Sequence, residues 1–88
     1  GEMTDSRYFS TLGLQPVLGR GFTPAEDRDP ALGKVVILGH GLWQRRHGGD
    51  PAVLGRPISL DGEPYTVVGV GPAGFRGMGG RADLWVPA

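Results

Sequence analysis

Pro57-Ile58-Ser59-Leu60-Asp61-Gly62-Glu63-Pro64-Tyr65-Thr66-Val67-Val68-Gly69-Val70 is the stretch that decides the fold. Two runs rich in apolar and β-branched residues flank Asp61-Gly62, a dipeptide that accepts the positive φ angles of a tight two-residue hairpin. Glu63 leaves room for a slightly longer loop. The stretch therefore predicts two antiparallel strands, and the rest of the chain must cover them.

Upstream, Lys34-Val35-Val36-Ile37-Leu38 is continuous and β-branched, the pattern of a strand buried on both faces. Between it and the hairpin, His40 to His47 sets Leu42 and Trp43 against Gln44, Arg45 and Arg46. That is an amphipathic helix, stopped by Gly48-Gly49. Asp50-Pro51 opens a short turn carrying Val53 and Leu54, closed by Gly55. Downstream, Gly71 to Gly80 is a glycine-rich loop around Phe75 and Met78, and Ala82-Asp83-Leu84-Trp85-Val86 alternates as a last strand.

Toward the N-terminus, Thr4-Asp5-Ser6 supplies capping residues for a short helix over Arg7 to Leu12, ended by Gly13. Leu14 to Leu18 is interrupted by Pro16 and predicts an edge or a loop. Thr23-Pro24-Ala25-Glu26 is a capping box with Pro at the first helical position, so a single surface turn is expected. The apolar faces of these elements predict one shared core of Tyr8, Phe9, Leu12, Val36, Leu38, Leu42, Trp43, Leu54, Val67 and Trp85. The fold class is α+β: a small, mostly antiparallel sheet with two or three short helices.

Composition excludes several functions. The chain has 88 residues, nine Lys+Arg against nine Asp+Glu, and no cysteine. A neutral chain lacks the basic field that nucleic acids or anionic membranes attract. Without cysteine there is no disulfide framework, thiolate nucleophile or cysteine-bearing zinc site. The longest apolar run, Val35 to Leu38, is far shorter than the ~20 residues that span a bilayer. Any membrane attachment must come from parts outside this chain. Seventeen Gly and eight Pro make the chain turn-rich.

No residue set makes a catalytic or cofactor site. Gly69-Val70-Gly71-Pro72-Ala73-Gly74 matches G-x-G-x-x-G after a strand, yet Pro72 and the glycines that follow deny it the helix N-terminus that meets a pyrophosphate. His40 and His47 are two helical turns apart, about 10 Å, too far for one ion. Ser6, Ser10 and Ser59 have no base in a nucleophile pattern, and Glu26, Asp27 and Asp29 read as a solvated loop. Arg45 and Arg46 beside Trp43 read as the outer face of a helix rather than a nucleic-acid surface. Catalytic, cofactor and metal residues are therefore none.

The ordered set of short elements nevertheless resembles one family. Arg7-Tyr8-Phe9-Ser10-Thr11-Leu12-Gly13-Leu14-Gln15-Pro16 and Leu18-Gly19-Arg20-Gly21-Phe22-Thr23 are similar to the opening of the MacB-like periplasmic core domain of ABC-transporter permeases. Val35-Val36-Ile37-Leu38, Leu42-Trp43-Gln44-Arg45-Arg46, Asp50-Pro51 and Leu54-Gly55-Arg56 continue the pattern. Tyr65 to Val70, Pro72 to Phe75 and Asp83-Leu84-Trp85-Val86-Pro87 complete it, so the likeness covers nearly the whole chain. Two departures are Gly39, where serine is usual, and His47, where phenylalanine is common. The likeness is greatest to the large duplicated permeases of soil bacteria.

The resemblance implies a single non-catalytic extracytoplasmic domain over residues 1–88, chiefly the small α/β subdomain of a periplasmic region. Its parent would lie in the bacterial inner membrane and couple cytoplasmic ATP hydrolysis to export or mechanotransmission. Implied partners are the rest of the permease, a separate or fused ATP-binding subunit, and a periplasmic adaptor or lipophilic cargo. No cofactor and no nucleic acid is implied. A free-standing soluble binding or adhesion module of the same fold is the alternative. The expected partner contacts are Phe75, Arg76, Met78 and Arg81, apolar and cationic residues in a loop too glycine-rich to form an obvious core element; the alternative is that Phe75 plugs the end of the sheet.

Overall fold

The computed structural model describes residues 2–4, 11–74 and 83–87. Along the chain these form β1 (Glu2–Thr4), β2 (Leu18–Gly19), α1 (Pro24–Arg28), β3 (Val35–Leu38), α2 (His40–His47), a 3-10 turn (Pro51–Val53), β4 (Pro57–Leu60), β5 (Glu63–Val70) and β6 (Leu84–Pro87). The helix expected over Arg7 to Leu12 lies almost wholly outside the described residues.

The hairpin forms as the sequence requires. Leu60 pairs with Glu63, so the loop is the two residues Asp61 and Gly62, with φ of 51° and 81°. Both angles are positive, as the right-handed twist of the flanking strands demands. Ser59 faces Pro64, and Thr66 is the first β5 residue that β3 pairs. Proline is tolerated at Pro64 because β3 does not reach far enough to need its missing N–H.

One mixed sheet holds the molecule together, in the order β1-β6-β3-β5-β2, with β4 also on β5. Three of its five pairings are antiparallel, and β3–β5 and β1–β6 are parallel. The parallel β3–β5 pair exists because α2, the 3-10 turn and β4 carry the chain back between them. On the outer side of β5, two stubs share the edge. Residues 55–60 take its first half, and Val17 to Arg20 takes the second.

The core lies on both faces of the sheet. One face holds Phe22, Val35, Ile37 and Trp85, with Leu14 and Val68 against them. The other holds Val36, Leu38, Trp43, Val53, Val67 and Val70, under α2 and the 3-10 turn. Successive β3 residues thus serve opposite faces, as strand geometry requires. Val67 and Val70 share a face despite odd spacing because β5 bulges there. Val36 pairs with Val67 but Ile37 with Gly69, leaving Val68 as the extra residue.

The single shared core expected from the sequence is therefore corrected. Trp85 is buried on the face opposite Val36, Leu38, Trp43 and Val67. Leu12 and Leu54 are each 37% exposed, and Leu42 is only half-buried. In the 3-10 turn the inward residue is Val53, because the tighter helix turns Leu54 at its C-cap outward. Tyr8 and Phe9 lie outside the described residues. Phe22, absent from the expected core, is 7% exposed.

Candidate functional site

Thirteen residues connect Val70 of β5 to Leu84 of β6. Because β5 runs parallel to β3 and β6 antiparallel to it, both ends of this connection lie at the C-terminal end of β3. It crosses from one neighbour of β3 to the other, two strand spacings or about 10 Å. Three or four extended residues would cover that distance.

The anchors of the connection are tightly held. At its start, the Gly71 N–H donates to the Leu38 carbonyl at 2.8 Å. A Cβ at Gly71 would lie 3.0 Å from the Trp85 ring, so the absent side chain lets the tryptophan close over the backbone. At its end, the Asp83 carbonyl accepts from the Gly39 N–H at 2.6 Å, and the Asp83 carboxylate lies 3.6 Å from the Arg45 guanidinium. Gly39 caps α2 without a side-chain hydrogen bond. A Cβ there would sit 2.8 Å from the Asp83 carbonyl oxygen. The approach of β6, and not helix capping, accounts for glycine at this position.

Phe75, Arg76, Met78 and Arg81, the contact residues expected from sequence, lie outside the described residues. The G-x-G-x-x-G stretch has a structural explanation. Gly69 faces β2, where a Cβ would come within 2.4 Å of the Arg20 carbonyl oxygen. Pro72 to Gly74 form no helix. His40 and His47 stand at opposite ends of α2, and His40 packs edge-on against Trp43 with ring centroids 5.3 Å apart. Trp43 is buried and its indole N–H donates to the Asp50 carbonyl at 3.0 Å, so it offers no stacking face. A cavity of about 330 Å³ is lined by Glu26, Asp27, Pro30, Gly33, Lys34, Tyr65 and Pro87. Two of its charged groups are already engaged, Glu26 with Arg20 and Lys34 with Glu63.

The family model of the MacB-like periplasmic core domain matches residues 1–88. The chain belongs to this family. Among relatives of the periplasmic core domain, the macrolide export ATP-binding/permease protein MacB of Burkholderia thailandensis is 31% identical over 83 residues, which are 92% of this chain. The protein named macrolide export ATP-binding/permease protein MacB 1/2 of Paracoccus denitrificans is 34% identical over 82 residues, 93% of this chain. The chain spans about 12% of the length of either relative.

The fold of the domain agrees with solved structures. The periplasmic region of MacB from Actinobacillus actinomycetemcomitans superposes with a TM-score of 0.73 at 22% identity, covering 94% of this chain and 35% of that one. The extracellular domain of the noncanonic ABC-type transporter YknZ from Gram-positive bacteria gives 0.72 at 22% identity, covering 97% and 41%. The chain is thus a MacB-like periplasmic core domain with the fold of these periplasmic and extracellular regions. Among the described residues no helix is long and apolar enough to cross a membrane.

Proposed function

We propose that this periplasmic core domain is a non-catalytic coupling element, linking ATP hydrolysis in the cytoplasm to export or mechanotransmission through contacts made outside the membrane. The unit corresponds to the small α/β subdomain of the periplasmic region. Its partners are the remainder of the permease, a fused or separate ATP-binding subunit, and an adaptor protein or lipophilic cargo. The contact surface is the Gly71–Arg81 connection, with Phe75, Arg76, Met78 and Arg81 as its contact residues.

One observation carries the reading. The connection is three to four times longer than its span requires, while both of its ends are pinned to the sheet. Surplus length on a rigid frame is the usual arrangement of recognition loops. Phe, Met and Arg are also residue types enriched in protein contacts.

The test is Phe75→Ser with Met78→Ser in the full permease. Lost transport at unchanged membrane level and unchanged melting of the domain is the expected result. Normal transport in the folded double variant overturns the contact assignment, and parallel loss of folded protein shows that Phe75 plugs the sheet end instead.

A further inference from the structure

The turn from α2 into β4 borders a half-open cavity of about 220 Å³ lined by Arg46, His47, Asp50, Val53 and Arg56. We propose that this cavity is an oxyanion site, taking one phosphate group between the guanidinium groups of Arg46 and Arg56. It is distinct from the connection at the end of β3 and does not depend on the coupling role.

Charge availability is the first argument. Arg20 is bonded to Glu26, and Arg45 lies 3.6 Å from Asp83. Among the described residues neither Arg46 nor Arg56 pairs with a carboxylate. Asp50 also lines the cavity and keeps its charge, but it forms no ion pair with either arginine, and its Oδ1 is turned to the Ala52 N–H at 2.9 Å as the cap of the 3-10 turn. Guanidinium groups free of carboxylates match a tetrahedral oxyanion well, because each presents a planar fork of donors.

The second argument is rigidity. The Trp43 indole N–H holds the Asp50 carbonyl, and the Arg56 N–H donates to the Val53 carbonyl at 3.0 Å. The Arg56 carbonyl in turn accepts from Val67 of β5 at 2.9 Å, and Val53 floors the cavity at 2% exposure. The two arginines are thus mounted on backbone that is fixed before any ligand arrives, which lowers the ordering cost of binding.

A helix C-terminus ordinarily repels anions, but here three of the last carbonyls of α2 accept hydrogen bonds. Gln44 accepts from the Gly48 amide at 3.1 Å, Trp43 from the Gly49 amide at 3.3 Å, and His47 from the Asp50 amide at 3.1 Å. These bonds offset part of the negative end of α2 near the cavity.

Free phosphate and a phospholipid headgroup share this chemistry, so the test has two arms on the 88-residue chain. The first is titration with inorganic phosphate at constant ionic strength, followed by amide and arginine side-chain NMR shifts, with chloride as control. Shifts confined to residues 46–56 are expected, and Arg46→Gln or Arg56→Gln should each weaken binding about fivefold or more. Asp50→Asn keeps the cap acceptor but removes a competing charge, and should strengthen binding about twofold. The second arm is co-sedimentation with phosphatidylglycerol vesicles against phosphatidylcholine vesicles. Arginine-dependent capture by phosphatidylglycerol alone makes a lipid headgroup the source, and phosphate binding without capture makes it a soluble anion. Chloride reproducing the shifts, both arginine variants binding as the parent does, or failure of both arms overturns the proposal.

Discussion

Gly19 and Gly69 face each other across the β2–β5 pair, and neither position has room for a Cβ. At Gly19 the added atom would lie 2.1 Å from the Val68 carbonyl oxygen, and φ there is +69°. Gly19→Ala should therefore cost about 2 kcal/mol or more, by urea denaturation. Gly13 has a similar φ of +73° but open space around it, so Gly13→Ala should cost only about 1 kcal/mol. Equal losses would show that close approach is not what Gly19 serves. Trp43 joins two roles, filling the core and holding the Asp50 carbonyl. Trp43→Ala should cost about 3–5 kcal/mol, while Trp43→Phe, which loses chiefly the indole donor, should cost about 1–2 kcal/mol.

The elements each rest on a local device that can be tested separately. In α1, Thr23 Oγ1 accepts from the Glu26 N–H, and Glu26 Oε1 accepts from the Thr23 N–H at 2.8 Å, closing a capping box. Arg20 adds a two-point contact to the Glu26 carboxylate at 2.8 and 3.0 Å, tying α1 to the end of β2. Hydrogen bonding from Arg20, then from the Thr23 backbone, outweighs burial and holds the Glu26 carboxyl below its ordinary 4.5. The folded state thus binds this proton less tightly than the unfolded state. The stabilisation is complete above the ordinary carboxylate range and is lost as pH falls through the lower folded value. Melting temperatures measured from pH 6 to pH 2 should fall less steeply for Glu26→Gln than for the parent; parallel curves would remove Glu26 from the acid response. In the hairpin, Asp61→Asn should leave stability unchanged or slightly raised, because Asn-Gly suits the same turn. Gly62→Ala should cost about 1 kcal/mol by thermal melting.

For the whole molecule, β3 and β5 supply side chains to both faces of the sheet, so neither face can loosen without disturbing the other. The two tryptophans report on opposite faces, Trp43 from the inner side of α2 and Trp85 against Phe22 and Ile37. In Trp43→Phe the remaining fluorescence follows Trp85, and in Trp85→Phe it follows Trp43. Within each variant, fluorescence and far-ultraviolet circular dichroism should give coincident urea midpoints, the mark of one cooperative unit. Separated midpoints would mean that the faces unfold independently.

The local chemistry of the chain was legible from the sequence alone. Asp61-Gly62 specified the hairpin, Val35 to Leu38 a strand covered on both sides, Gly48-Gly49 the end of α2, and Thr23 to Glu26 the cap of α1. Each rests on dihedral preference or hydrophobic period within a few residues, which a sequence states directly. The ordered motifs also placed the chain in its family. Tertiary structure decided which apolar residues meet. A continuous run such as Val35 to Leu38 carries no sign of which face each neighbour serves, so Trp85 and Trp43 could not be assigned to opposite layers. The β5 bulge, the exposure of Leu54 and the burial of Phe22 follow from how strands register and stack, and these are contacts between residues distant in sequence. The glycines were ambiguous for the same reason. Gly39 stood out only as a departure from serine, and Gly69 and Gly71 only as part of a glycine-rich match with no phosphate role; the packed fold alone shows a strand entry, a neighbouring backbone and a tryptophan ring in the space their side chains would fill.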